Sequence, residues 1–321
     1  APPLPAPQGR LTPAHAPPLP EVTLSELALL PTKPDWAGGL RSTWTPGETG
    51  AQITLTRFID DTIRGYAERR DMPGVISTSR LSPHLAFGDI GPRQIVQALD
   101  FAMAEGRCPG SPRDRAKFEA EVGWREFAYH VLFSHPDLRN TPMTSRFTAF
   151  PWHHDDAALL AWQKGQTGYP LVDAGMRELW QTGYMHNRVR MVAASFLIKH
   201  LGIDWRHGEA WFWDTLVDAD PASNPFGWQW VAGCGADAAP YFRIFNPMLQ
   251  GLKFDANGDY VRRYVPELAR LADEHIHAPW QAPAAALARA GVRLGVTYPR
   301  PIVEHSAARD RAMADYRTSG A

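Results

Sequence analysis

Apolar residues recur at helical spacing along most of the chain beyond about residue 51. Leu55, Phe58, Ile59, Ile63 and Tyr66 are spaced so that they fall on one face of a helix. The same reasoning predicts further helices over 92–103, 114–133, 170–182, 185–201, 209–216, 267–272 and 284–290. Because alternating strand patterns are scarce, the sequence predicts an all-α domain.

The beginning of the chain has a different composition. Residues 1–35 are rich in proline and poor in aromatic residues, which is typical of an extended linker. We therefore divide the chain into a Pro-rich interdomain linker over 1–50 and a helical domain over 51–321. Residues 217–245 lack a clear period and are expected to form loops. The missing initiator methionine indicates a fragment or a processed chain.

Composition narrows the class of protein. The chain has 321 residues, 44% of them hydrophobic, and no apolar run approaches the roughly 18 residues of a membrane span. Cys108 and Cys234 are too few for a disulfide framework or a zinc site, so we expect no metal and a cytoplasmic location. The net charge of −1 is not the basic excess of a typical nucleic-acid binder, so DNA binding would depend on local arginine clusters.

The segment Thr78-Ser79-Arg80-Leu81-Ser82 places three hydroxyl groups at a predicted helix start. Free backbone N–H groups and the helix dipole favour a bound anion at such a place. The alternative is ordinary capping, with Ser82 as the N-cap and Pro83 at the first helical position. The pattern leaves both interpretations open.

A second cluster combines carboxylates with tryptophans. Asp218 and Asp220 are two residues apart and cannot share a helix face, but a loop can turn both inward. Buried carboxylates need partners, and Arg190 is the natural partner of Asp218. Trp228 and Trp230 nearby suit a site that stacks a flat ring, because an indole offers a wide apolar face and one N–H donor.

One predicted helix face carries an unusual mixture of side chains. Helical spacing places Phe118, Glu121, Trp124 and Arg125 on or near one face. An acid, an indole and a guanidinium fit a pocket that stacks a base, accepts its N–H and contacts a phosphate, with Trp230 as a second aromatic wall. The alternative is an exposed helix edge held by salt bridges.

The order of these segments resembles that of the photolyase/cryptochrome family. Further matching runs are Gly168-Tyr169-Pro170, Met185-His186-Asn187-Arg188-Val189-Arg190-Met191 and Asn246-Pro247-Met248-Leu249-Gln250-Gly251. The resemblance runs from about residue 61 to 314 and is greatest to microbial class I cyclobutane pyrimidine dimer photolyases. It implies the helical FAD-binding domain of that family without its N-terminal α/β antenna domain, and it leaves the antenna chromophore unknown.

The resemblance implies FAD as the cofactor, active as the fully reduced anion. Arg190 and Asp218 would pair beneath the flavin, Asp220 would accept from a ring N–H, and Asn224 would lie beside flavin N5. The implied cofactor-binding residues are Tyr66, Thr78, Ser79, Arg80, Leu81, Ser82, Arg190, Asp218, Ala219, Asp220 and Asn224. The run Pro225-Phe226-Gly227 departs from the more polar, Gly-rich run of close relatives, and Pro225 restricts the backbone beside Asn224.

The implied partner is DNA containing a pyrimidine dimer, bound by a monomer. Glu121 would contact the lesion, and the other implied DNA or lesion contacts are Arg70, Trp124, Arg125, Asn187, Arg188, Met191, Trp230 and Gln250. Three tryptophans match the family's electron-transfer chain: Trp228 nearest the flavin, then Trp205 and Trp152. Core packing is the alternative for Trp205 taken alone.

The resemblance implies light-driven repair, in which reduced FAD passes an electron to a flipped-out dimer. A (6-4) photolyase is one alternative, but Asn187-Arg188 stands where such enzymes carry a histidine pair. A cryptochrome photosensor is another, but it would lose the set that contacts the dimer, which this chain retains. A helical DNA-binding scaffold without a cofactor is a third.

Overall fold

The structure is a computed structural model that describes residues 22–23, 25–237 and 242–319. Its α-helices are α1 (Gly38–Thr43), α2 (Gly47–Arg57), α3 (Tyr66–Arg69), α4 (Ser82–Phe87), α5 (Pro92–Ala104), α6 (Pro112–Ser134), α7 (Asp156–Gln163), α8 (Pro170–Thr182), α9 (Asn187–Ser195), α10 (Trp205–Thr215), α11 (Ser223–Ala232), α12 (Pro247–Phe254), α13 (Asp259–Tyr264), α14 (Asp273–Ile276), α15 (Ala284–Ala290) and α16 (His305–Thr318). Shorter π-helical turns span Phe58–Thr62 and Phe196–His200, and 3₁₀ turns span Ser145–Ala149, Pro266–Leu268 and Pro279–Gln281. Within these ranges β pairing is limited to isolated bridges, so the predicted all-α fold is confirmed.

Local signals set the ends of the long helices. Ser111 caps α6: its hydroxyl accepts from the Asp114 N–H at 3.2 Å, and the Asp114 carboxylate accepts from the Ser111 N–H at 3.0 Å. Pro170 opens α8, and Gly183 ends it at φ +66°, a left-handed conformation that glycine adopts without strain. The helices predicted at these places are confirmed.

The hydrophobic pattern predicted the secondary structure of three other segments incorrectly. Helix α11 occupies part of 217–245, where loops were expected; Pro225 lies in its first turn, where its missing N–H breaks no helical bond. The helix predicted over 185–201 ends as α9 at Ser195 and continues as a π-helical turn. The helix predicted over 267–272 is replaced by the 3₁₀ turn Pro266–Leu268 and, from Asp273, by α14.

The described residues form two hydrophobic cores. The smaller core gathers side chains from α2, α3, α5 and α6 and from the segment between α2 and α3, including Ile63, Tyr66 and Phe118. The larger core is built around α8, α9, α10, α11 and α13 and includes Trp205 and Trp228. Two of the cavities described below are lined by residues from the elements of both cores.

The segment before residue 50 contains regular structure. Gly39 of α1 packs so closely on the end of α8 that a Cβ there would lie 1.9 Å from the Gln181 carbonyl oxygen. The proposed boundary at residue 50 falls inside α2, which begins at Gly47 and buries Ala51 and Leu55. Residues 1–21 lie outside the described part, so the linker expected there stays a prediction. No helix in the described part is both long and apolar enough to span a membrane.

Candidate functional site

A loop before α4 forms one end of the site. Thr78, Ser79, Arg80 and Leu81 line a cavity of about 280 Å³, together with Tyr66 and Ser82. Arg80 has φ +53°, a left-handed conformation that costs an arginine about 1–3 kcal/mol and persists only where the surrounding structure imposes it. The unusual backbone conformation of this loop, directly before α4, supports the interpretation that the loop binds an anion.

Ser82 has a different role from the expected N-cap. The N-cap of α4 is Leu81, and no side chain caps this helix. The Ser82 hydroxyl instead donates to Asp218 Oδ2 at 2.6 Å. The capping expectation was wrong because a charged carboxylate accepts a stronger hydrogen bond than the helix N–H groups could offer the hydroxyl.

The predicted ion pair between Arg190 and Asp218 is confirmed. Arg190 Nη2 lies 2.8 Å from Asp218 Oδ2, and Arg190 Nε donates to the Met185 carbonyl at 2.6 Å. Burial acts to lower the pKa of Arg190, but its contact with Asp218 outweighs burial and raises that pKa. Asp218 Oδ1 is buried and has no hydrogen-bond partner in the described part of the chain, so it is left to accept from a bound group.

Asp220 is engaged by protein groups on both of its oxygens. Oδ1 accepts from the backbone N–H groups of Ala222 and Ser223 at 3.0 and 2.7 Å, which fixes the start of α11. Oδ2 accepts from the Tyr129 hydroxyl at 2.7 Å. Sequence reasoning missed Tyr129, although helical spacing from Glu121 and Arg125 by steps of four would have placed it on the same face.

Asn224 is oriented by a buried acid. Its Nδ2 donates to the Glu209 carbonyl oxygen at 3.1 Å and to Glu209 Oε1 at 2.9 Å. Arg139 Nε binds the other carboxylate oxygen at 2.9 Å, and burial raises the pKa of Glu209. This leaves the Asn224 carbonyl oxygen to face a ligand in the cavity of about 190 Å³ that Asn224 lines. Sequence reasoning missed Glu209.

The same cavity has a flat aromatic wall. Trp228 is buried, and its ring packs edge-on against Phe212 at 4.9 Å and Trp162 at 6.2 Å. Its indole lies against Gly208 of α10, where an added Cβ would come within 2.1 Å of the ring. Arg190, Asp218, Ala219 and Asn224 line the cavity with Trp228. The wall is therefore held rigidly in one pose.

The other two tryptophans of the predicted relay also belong to the larger core or pack against it. Trp205 begins α10, one turn before Gly208, and it is fully buried. Trp152 contacts Phe150 at a ring distance of 4.4 Å and precedes His153, whose N–H donates to the Gly202 carbonyl at 2.8 Å. The indole N–H groups of both are buried without a partner in the described ranges. The structure thus brings all three indoles into neighbouring elements.

A third cavity, of about 570 Å³, collects the predicted substrate residues. Its walls include Arg70, Glu121, Trp124, Arg125, Asn187, Arg188, Met191 and Trp230. The Trp124 side chain is 43% exposed there. Gln250 is the one predicted DNA contact outside these walls; it lies in α12 with its Oε1 buried and unpartnered among the described residues. Lys117 and Phe226 also line the cavity and were missed.

The carboxylate of Glu121 is held between two cations. Arg70 Nη2 lies 2.9 Å from one oxygen and Lys117 Nζ lies 2.9 Å from the other. The alternative of a helix edge held by salt bridges is therefore correct about these ion pairs. The same carboxylate also lines the cavity, where its remaining lone pairs can accept a hydrogen bond from a further donor. Arg188 is held similarly by Asp71 at 2.8 Å.

The three cavities adjoin one another. Asn187 and Ser223 line all of them, and Met191 and Gly227 line both the Trp228 cavity and the substrate-side cavity. A long ligand could therefore extend from the Arg80 loop to Trp228 and touch a second ligand held by Trp124 and Trp230. The unpartnered Asp218 oxygen, the loop at a helix start and the flat indole wall together fit FAD.

Comparison with known proteins agrees with this geometry. Residues 118–318 match the family described as the FAD binding domain of DNA photolyase. The chain is 58% identical over 293 residues to a deoxyribodipyrimidine photo-lyase of Agrobacterium fabrum, covering 91% of this chain and 60% of that protein. A crystal structure of a bacterial class III photolyase from Agrobacterium tumefaciens superposes with a TM-score of 0.92 at 56% identity, covering 97% of this chain and 63% of the other.

A cryptochrome is also similar. Cryptochrome-1 of Arabidopsis thaliana is 43% identical over 267 residues, covering 82% of this chain and 39% of that protein. The chain thus spans less than two thirds of the length of the relatives it matches.

Proposed function

The chain belongs to the photolyase/cryptochrome family and carries its FAD-binding domain, and from this premise we propose that it repairs cyclobutane pyrimidine dimers in DNA by light-driven electron transfer. One observation carries the proposal. Glu121, Trp124 and Trp230 line a single cavity that adjoins the cavity of Trp228 and Asn224. A lesion there would lie beside the cofactor.

The residues that would hold FAD are already arranged. The Thr78–Ser82 loop would bind the pyrophosphate, Asp218 and Asp220 would face the ring edge, and Asn224 would present its carbonyl oxygen near N5. Bound reduced FAD supplies the chemistry, a light-driven transfer of one electron to the dimer and its return. The Arg190–Asp218 pair, 2.8 Å apart, would present a fixed dipole to the flavin ring.

On the substrate side the chain binds, orients and shields. Extruding a dinucleotide costs a few kcal/mol, and stacking on Trp124 and Trp230 returns about 1–3 kcal/mol per base. Glu121 would accept an N–H of the dimer and so fix its orientation. Arg70, Arg125 and Arg188 would contact phosphates and set the register of the DNA.

Trp228, Trp205 and Trp152 would pass electrons one at a time from an external reductant to an oxidised flavin. Each indole can lose an electron, and Trp152 is only partly buried, so a reductant in solution could refill the hole there. This activation is separate from repair itself.

A photosensory function is the second candidate, favoured by the 43% identity to a plant cryptochrome. It uses the same cofactor cavity and the same tryptophans. It differs in needing no dimer pocket, whereas the walls of this pocket retain Glu121, Met191 and Trp230.

Light-dependent repair tests the proposal. Purified chain with reduced FAD is mixed with an oligonucleotide carrying one thymine dimer, and thymine absorbance is followed under blue light and in darkness. Recovery in light alone is the expected result. A matched oligonucleotide with a (6-4) lesion gives the specificity: recovery of that substrate alone would replace the dimer assignment, and recovery of neither by a flavin-loaded chain would favour the photosensor.

A further inference from the structure

The strained residue of the phosphate-side loop is held by a tryptophan from the N-terminal segment. Arg80, Ala28 and Asp237 are the non-glycine residues with positive φ in the described ranges, and only Arg80 belongs to the Thr78–Ser82 loop. Its guanidinium lies 4.7 Å from the centre of the Tyr184 ring and 5.9 Å from the centre of the Trp44 ring. The Arg80 side chain therefore packs on two aromatic faces.

Trp44 is itself fixed in place. Its indole N–H donates to the Thr182 carbonyl at 2.7 Å, and its ring lies 5.9 Å from Tyr184. Gly39 lets α1 approach the end of α8 at backbone contact distance. The Thr182 hydrogen bond and the contact of α1 with α8 at Gly39 therefore set the position of Trp44, and neither of them involves Arg80.

A competing partner lies close to the same guanidinium. Glu178 Oε1 is 3.7 Å from Arg80 Nη2, which is longer than a direct hydrogen bond. The Glu178 carboxylate already accepts from the Tyr260 hydroxyl at 2.6 Å and the His186 N–H at 3.1 Å. The two rings and this 3.7 Å ion pair together hold the guanidinium, so loss of the Trp44 ring would leave it freer to turn toward Glu178.

We propose that Trp44 is a positioning residue of the cofactor site: by packing on Arg80 it keeps the Thr78–Ser82 loop shaped for a pyrophosphate. The inference rests on the proposed use of this loop for FAD. It extends the site to the segment before α2, upstream of every cofactor-binding residue named above. Cation–π packing constrains a side chain without neutralising it, so the Arg80 charge stays available to a phosphate.

Flavins that differ in the phosphate part test this role. Apoprotein is titrated with FAD and with riboflavin, which lacks the pyrophosphate, and flavin fluorescence gives both dissociation constants. We expect Trp44→Ala to weaken FAD binding about tenfold, or about 1.4 kcal/mol, and to leave riboflavin binding within about twofold. Trp44→Phe, which keeps an aromatic face, should restore most of the FAD affinity. Trp36→Ala is the control, because Trp36 lies in the same segment and is 60% exposed.

An equal loss of FAD and riboflavin affinity in Trp44→Ala would overturn the proposal, since general loss of structure affects both flavins alike. Arg80→Ala adds a second criterion. If Trp44 acts through Arg80, the double variant should bind FAD no more weakly than Arg80→Ala, and additive losses would contradict the inference.

The binding experiment tests the role of Trp44 separately from the proposed repair activity. A chain that binds FAD with the predicted selectivity yet repairs no dimer would keep this inference and end the repair assignment. An unsubstituted chain that binds no FAD would end both.

Discussion

Several polar side chains that line the cofactor cavities are held by a second protein group. Glu209 fixes the amide of Asn224, and Tyr129 binds Asp220. Ser82 and Arg190 share one oxygen of Asp218. Such support lowers the reorganisation needed when a ligand binds, because the donors and acceptors already point into the cavity.

Sequence reasoning found some of these partners and missed others. The Arg190–Asp218 pair was predictable because a buried carboxylate requires a cation and the family motif supplies one. Helical spacing could place Tyr129 on the face of Glu121, but it could not pair Tyr129 with Asp220, which lies 91 residues away in sequence. Glu209 was assigned only to a helix, since its burial and its contact with Asn224 depend on how α10 packs against α11.

The acid in the substrate cavity gives the first prediction. Glu121→Gln should retain FAD and should lower the repair yield per absorbed photon. It should also bind dimer-containing DNA about tenfold more weakly, because it loses a charge-assisted hydrogen bond worth about 1.5 kcal/mol. Glu119→Gln on the same helix is the control, because Glu119 pairs with Arg115 and does not line the cavity. An unchanged yield in Glu121→Gln would remove Glu121 from the lesion contact.

Helices α10 and α11 meet through a glycine and a tryptophan. Gly208→Ala would place its Cβ 2.1 Å from the Trp228 ring and 2.7 Å from Leu197 Cδ2. We expect it to destabilise the fold by about 1–3 kcal/mol and to weaken flavin binding, since the aromatic wall must move. Both quantities follow from urea unfolding and flavin titration.

Gly123→Ala is the matched control for that variant. Gly123 lies within α6, and a Cβ there meets nothing within 4 Å. It should stabilise the helix by up to about 1 kcal/mol. Similar behaviour of the two alanine variants would contradict the packing argument at Gly208.

The relay prediction also depends on how these elements pack. Trp152→Phe keeps an aromatic ring against Phe150 but is much harder to oxidise than an indole. We expect it to block photoreduction of oxidised FAD, followed as bleaching of the oxidised flavin band in the presence of an external reductant, and to spare repair by protein that is already reduced. Photoreduction at the unsubstituted rate would take Trp152 out of the relay.

Stability of the complete chain should respond to the protonation of His186. Burial lowers the pKa of His186 to about 4 from an ordinary value of 6.5, and its Nδ1 accepts the Arg188 N–H at 3.2 Å. A neutral buried histidine stabilises the fold fully above pH 6.5, and this contribution is lost as pH falls from 6.5 toward 4, because only the unfolded chain takes up the proton. The loss amounts to about 1.4 kcal/mol per pH unit in that window.

The measurement compares His186→Asn with the unsubstituted chain by urea unfolding at several pH values. Asparagine keeps a capping acceptor without titrating, so the difference in unfolding free energy should shift in favour of the variant as pH falls. The two proteins are compared because Asp255, whose pKa burial raises to about 6, makes the fold more stable as pH falls. Its contribution is the same in both proteins and cancels in the difference between their unfolding free energies. His154→Asn, at an 80% exposed side chain, is the control, and a difference independent of pH would refute the assignment.

The sequence by itself determined the all-α class, the ends of helices such as α6 and α8 and the family, because these depend on periodicity, capping residues and short motifs that neighbouring residues carry. Helical spacing also placed Glu121, Trp124 and Arg125 together, and the family resemblance supplied most of the other predicted residues that line the same cavity. Tertiary structure decided the rest. The Ser82–Asp218 bond, the Glu209 support of Asn224 and the packing of Trp44 on Arg80 each join different elements, and each contact forms only once those elements pack against one another.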